Sequence, residues 1–191
     1  MRKVYFFTLL VVVWAPVAAE VKQGPAGRLG TRYSNPSLGF GYTQPDGMMD
    51  KTERFREDIE EQAKALHATN KLSVLLALSS GADDTAGSWS SVTIETYPRG
   101  AVADADDASA EAIMSAWVAG SQDSHALPRS VVISGQRFAV SVFGMQDDLT
   151  RKGAVVWTTV RKGQLLSFAF VANSPDRLKV LAESMKTLQF F

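Results

Sequence analysis

Apolar positions along this chain follow three patterns. Residues 4–14 are an almost unbroken apolar run, residues 50–120 mix helical and alternating spacings, and residues 136–172 form short apolar stretches between polar breaks. In the second region, Phe55, Ile59, Ala63 and Leu66 recur at helical spacing behind Asp50 and Glu53. A carboxylate three residues after a capping aspartate makes a capping-box start, so this spacing predicts a helix from Asp50 to Asn70 with a buried stripe. Arg54 with Asp58 and Glu60 with Lys64 are outward pairs four apart.

Leu72 to Leu78 is a run of strand length, and Trp89 to Tyr97 reads as another strand after the loop 80–87. Strand alternation sends Val92 and Ile94 to one side and Ser91, Thr93 and Glu95 to the other. Pro98, Arg99 and Gly100 break it. Asp106 or Asp107 then caps an expected second helix through Gly120, with Ala110, Ile113, Met114, Trp117 and Val118 inward.

The last third is the most regular. Gln136–Gln146, Ala154–Val160 and Gln164–Ala172 read as strands, and the breaks at 147–153 and 161–163 are too short for parallel crossovers. Val155, Val156, Trp157, Leu165, Leu166, Phe168 and Phe170 make the last two strands apolar on both faces, so both faces need cover. Ser174 caps a closing helix that has Pro175 at its first position and Leu178, Leu181, Met185 and Leu188 as its stripe. Near the start of the domain, Gly39–Thr43 reads as a short strand closed by the turn formers Pro45, Asp46 and Gly47. The expected fold class is α+β, with an antiparallel sheet held between helices.

The leader changes the picture of where this domain works. Arg2 and Lys3 precede the apolar run Val4–Trp14, and Val17, Ala18 and Ala19 supply small residues for cleavage. That order is the layout of a secretory signal peptide, and the run is too short for a membrane span of about 20 residues; a retained signal anchor is the competing reading, though no positive stop-transfer flank follows. Cleavage near Ala19–Glu20 delivers the chain to the periplasm or outside the cell. Residues 20–37, with Gly24, Pro25, Gly27, Gly30, Asn35 and Pro36, read as a flexible lead-in, and 38–191 as the domain.

The chain holds 20 basic and 20 acidic residues, and removing Arg2 and Lys3 with the leader leaves 18 against 20. So balanced a charge gives no attraction to nucleic acid or anionic lipid. The sequence has no cysteine, which removes thiol chemistry, cysteine-ligated zinc, iron–sulfur clusters and an N-terminal lipid anchor. The expected product is a soluble monomer with no stable membrane insertion after cleavage.

Two stretches resemble a known family. Residues 35–47, Asn-Pro-Ser-Leu-Gly-Phe-Gly-Tyr-Thr-Gln-Pro-Asp-Gly, resemble the opening of PsbP-like domains, and the strand–turn–strand–helix ending on Ser184–Phe190 is similar to that family's close. The resemblance implies an αβα sandwich around a twisted, mainly antiparallel sheet. Its members include a photosystem II extrinsic subunit, a Ran-binding nuclear factor and bacterial envelope proteins. It therefore implies a binding or assembly module more than a catalyst, and one fold hosting unrelated tasks is the usual case.

The candidate chemistry is sparse. His67 and His125 are the histidines, and a Ser-His-Asp relay would need one of them beside Ser79, Ser80, Ser88, Ser124 or Ser141. Neither a G-x-S-x-G elbow nor an H-E-x-x-H helix is present. Asp83, Asp84, Asp104, Asp106, Asp107, Asp147 and Asp148 invite a calcium reading, but capping and turns account for them. Glu57, Asp58, Glu60 and Glu61 read as the solvated face of the first helix. Trp89 and Tyr97, with Thr93 and Glu95 on the polar side of the same strand, are the candidate residues for a ligand or partner. The expectation is an exported, non-enzymatic module binding an envelope protein or small ligand, with no cofactor and no metal. A periplasmic hydrolase using His125 or His67 with a loop serine is the alternative, as is a structural envelope component without a discrete site.

Overall fold

A computed structural model describes residues 30–65, 72–80, 89–98, 129–143 and 153–191. The strands are β1 (Arg32–Asn35), β2 (Phe40–Thr43), β3 (Met48–Asp50), β4 (Ser73–Ser80), β5 (Ser90–Pro98), β6 (Arg129–Ile133), β7 (Gln136–Phe143), β8 (Gly153–Arg161), β9 (Gln164–Ala172) and β10 (Gln189–Phe190). The helices are α1 (Thr52–Ala65) and α2 (Pro175–Glu183), and a 3-10 turn at Ser184–Thr187 follows α2. The fold class is the expected α+β. Among the described residues, β3-β4-β5-β9-β8-β7-β6 form one sheet and β1-β2-β10 a smaller one. Every pairing is antiparallel.

Register explains why the central strands lack clean alternation. Val92 faces Phe170 and Ile94 faces Phe168, which in turn faces Trp157. These side chains share one face, and α2 lies against it, contacting β5, β8 and β9. Leu178 and Leu181 of α2, then Met185 and Leu188, join Leu76, Leu78, Val92, Ile94, Phe138, Leu166, Phe168 and Phe170 in one core. Alternate residues on the opposite face, Val156, Thr158, Ser167 and Ala169, are buried as well. Both faces are therefore covered.

The smaller sheet enters the same core through β2, whose Phe40 and Tyr42 are fully buried. The Phe168 ring centroid lies 5.7 Å from that of Phe40, 6.1 Å from Tyr42 and 6.1 Å from Phe138. Polar contacts reinforce the junction. Arg161 donates from Nε to the Leu38 carbonyl at 3.1 Å and lies over the Phe190 ring at 5.0 Å, while Lys162 Nζ donates to the Ser37 carbonyl at 2.9 Å. The Ser184 hydroxyl donates to the Leu181 carbonyl, so the Tyr42 hydroxyl donates to Ser184 Oγ at 2.6 Å. Burial pushes the Tyr42 phenol up to about 12.

Three sequence expectations change. The lead-in expected over 20–37 contains β1, which pairs with β2 from Arg32–Thr43 to Asn35–Phe40. Its burial alternates only weakly, so composition masked it. The first helix starts later than Asp50, because that residue is held in β3 opposite Leu78. Its Oδ1 accepts from the Thr52 amide at 2.8 Å and hydroxyl at 2.6 Å, while Glu53 pairs with Arg56 at 2.6 Å in place of a capping box. The stripe residues Phe55 and Ile59 are half-buried, because α1 rides along the outer side of β4. The expected second helix, residues 106–120, lies outside the described residues.

Ser174 caps α2 as the sequence predicts, its Oγ accepting from the Arg177 amide at 3.2 Å. Ser174→Ala should cost about 1 kcal/mol. In urea denaturation the midpoint should fall with an unchanged slope. An unchanged midpoint would mean that the cap contributes nothing.

Candidate functional site

Alternation on β5 places Thr93, Glu95 and Tyr97 together on the face opposite Val92 and Ile94. The neighbouring register sets Glu95 beside Ser167 and Ser167 beside Thr158, a polar row across β5, β9 and β8. Glu95 is only 8% exposed, and its Oε2 accepts from the Tyr97 hydroxyl at 3.0 Å. Burial raises the Glu95 carboxyl above its ordinary range, opposed in part by hydrogen bonds from Tyr97 and Thr93. Burial and the adjacent Glu95 charge also raise the Tyr97 phenol. On the same face Ser141 Oγ and Thr158 Oγ1 are buried without a hydrogen-bond partner among the described residues. Trp89 stands apart. It precedes β5, half-buried, with its carbonyl accepting from the Asn173 amide at 3.1 Å, and lies about 20 Å along the strand from Glu95 at ~3.4 Å per residue. The structure thus brings together three of the four candidate residues. They form a polar row within the sheet in which Glu95 is buried and Thr93 and Tyr97 are half-buried.

The feature offered to solvent is at the sheet's edges, which differ. At one end β3 pairs with only three residues of β4, and α1 closes the rest. Lys51 donates to the Ala77 carbonyl at 2.8 Å, the Ala77 amide to Thr52 Oγ1 at 3.0 Å, and Arg56 to the Val74 carbonyl at 2.9 and 2.7 Å. The edge is sealed by main chain, hydroxyl and guanidinium. At the other end β6 pairs with β7 alone among the described residues. Its Val131 is 37% and Val132 64% exposed, with Val142 of β7 at 48%. The hairpin is anchored at its turn, where Ser134 Oγ donates to the Leu188 carbonyl at 2.6 Å.

Sequence reading missed this edge because β6 is exposed along its length and shows no one-sided burial pattern. The available signal was Ser134–Gly135 between two β-rich runs, a two-residue hairpin turn. Both turn residues have positive φ, 48° and 77°, as a type I′ turn requires.

His67 and His125 lie outside the described residues, as do Asp83, Asp84, Asp104, Asp106, Asp107, Asp147 and Asp148. Glu57, Glu60 and Glu61 are exposed on α1, and Asp58 is half-buried. Among the described residues no cluster of three metal-ligating side chains occurs, and no helix is long and apolar enough to cross a membrane.

The buried carboxyl makes stability depend on pH. Its folded pKa is raised, so its burial costs nothing below the ordinary glutamate range, and the penalty grows as pH rises through the folded value. Glu95→Gln should therefore raise the melting temperature at neutral pH, with the gain shrinking to nothing on acidification. A gain that is constant with pH, or a loss at neutral pH alone, would contradict a buried carboxyl with a raised pKa.

No protein-family model matches this chain, and no curated protein matches it. Among solved structures it is similar to cyanobacterial PsbP (CyanoP) from Synechocystis sp. PCC 6803, at 14% identity and a TM-score of 0.48, covering 90% of this chain and 98% of that one. It is also similar to a protein from Bacteroides thetaiotaomicron VPI-5482, at 11% identity and a TM-score of 0.43, covering 86% of this chain. The match spans about half of that second chain, 49%. At these identities the likeness concerns backbone architecture alone.

Proposed function

We propose that residues 1–19 export this chain and that the released domain is a non-enzymatic binding module, which engages another envelope protein through the β6 edge. One observation carries the binding half of this reading. The sheet seals its β4 edge with α1 yet leaves Val131 and Val132 exposed on β6. Exposed edges are normally blunted, because they pair readily with other chains. An apolar edge on a hairpin anchored at its turn is a docking feature that a partner can bury. The basic start, apolar run and small cleavage residues support the export half.

Two measurements test it. Cell fractionation should recover the chain in the periplasm or medium at the mass of a form starting near Glu20, and full-length chain retained in the cytoplasm would contradict export. The mature domain as bait should enrich a partner from the envelope fraction, and Val132→Asp should lose it. That substitution is on the surface and should change stability by no more than about 0.5 kcal/mol. Equal capture by both baits would remove β6 from the reading.

A further inference from the structure

We infer that Met48 is an oxidation site, whose sulfoxide oxygen is received by Arg177 and Ser90 and ties α2 to the end strand β3. This is independent of the docking role proposed for β6. It starts from a cation with weak partners. Arg177 is half-buried on α2, and its guanidinium donates from Nε to Ser90 Oγ at 3.2 Å and from Nη2 to Met48 Sδ at 3.9 Å. It pairs with no carboxylate among the described residues. A neutral hydroxyl and a thioether are poor substitutes for the carboxylate or phosphate that a guanidinium fork fits.

Strand register fixes this arrangement. Met48 lies opposite Ser80, and Ser80 Oγ accepts from the Ser90 amide at 2.8 Å, so β3, β4 and β5 set the sulfur and the Ser90 hydroxyl side by side under α2. Ser90 Oγ receives Arg177 Nε and turns its own hydrogen to Met48 Sδ, also at 3.9 Å. Two donors therefore converge on one sulfur. Both stand further off than the about 2.7–3.2 Å of a hydrogen bond to oxygen. An oxygen carried on that sulfur, between the two donors, closes the difference.

The chemistry is oxygen transfer from a hydroperoxide. A sulfur lone pair attacks one oxygen of hydrogen peroxide and the O–O bond breaks. The departing hydroxide takes the proton left on the transferred oxygen and leaves as water. Sulfur is thereby oxidised by two electrons to the sulfoxide, and the peroxide is reduced. Such a change ordinarily disrupts a fold, because it makes an apolar side chain polar. Here it gives a charged donor a strong acceptor in place of a weak one, so it tightens the contact between α2 and β3. The other described methionines lack this setting. Met49 alternates to the opposite face beside Ser79, and Met185 is 1% exposed in the core.

The test treats the chain with hydrogen peroxide, maps sulfoxide at each methionine by peptide mass spectrometry and follows thermal unfolding. Met48 should be oxidised in the folded chain, well before Met185. Relative to Met48→Leu treated identically, the melting temperature should rise by about 2–4 °C, the scale of one added hydrogen bond. In Arg177→Leu the same oxidation should lower it. Nitrogen-15 signals of the Arg177 guanidinium should also move on oxidation of the unmutated chain. Resistance of Met48 to peroxide until the chain unfolds overturns the site. An equal fall in melting temperature with and without the guanidinium overturns its role as receiver of the oxygen. If Arg177→Leu does not fold, the nitrogen signals decide, since unmoved signals at full Met48 oxidation overturn the inference.

Discussion

The ring of Phe168 is where two sheets become one body. It stands on β9, which pairs over nine residues with each of its neighbours β5 and β8, and it meets Phe40, Tyr42 and Phe138 at 5.7–6.1 Å between centroids. Tilted and edge-on aromatic contacts of this kind contribute about 0.5–1.5 kcal/mol each beyond their burial. The smaller sheet depends on them. Its strands have four, four and two residues, and so small a sheet is not stable alone in water. Without the shared aromatic core, the sheet of β1, β2 and β10 has nothing to pack against, and the Arg161 and Lys162 contacts have no anchored carbonyls to reach.

That junction also shapes what remains available for function. Once α2 and the small sheet cover one face, and the other is buried around Glu95, the sheet meets solvent chiefly at its two ends. One end is closed by α1. The other ends in β6, held at its turn through Ser134 and Leu188 but exposed along its length.

The parts of the fold legible in the sequence are those with long periodic runs. β7, β8 and β9 follow their apolar patterns closely, and α2 announces itself through Ser174, Pro175 and a stripe that is buried as expected. Strands of two to four residues, such as β1, β3 and β10, are too short to establish a period. Glu95 shows a different limit. Alternation assigned its face correctly, but a glutamate in an alternating strand reads as solvent-facing, and nothing local reveals that its row runs on into buried Ser167 and Thr158. Sequence placed Thr93, Glu95 and Tyr97 together and could not show that Glu95 is buried. The β6 edge was missed for the opposite reason, since exposure on both faces leaves no pattern to detect.

Native-state hydrogen exchange tests most directly whether the two sheets are one cooperative unit. The hydrogen-bonded amides of β2 and β9 should open with the same free energy and the same denaturant dependence, as members of one unfolding unit do. If β2 exchanges through a smaller opening while β9 stays protected, the aromatic junction at Phe168 does not bind the sheets into one body.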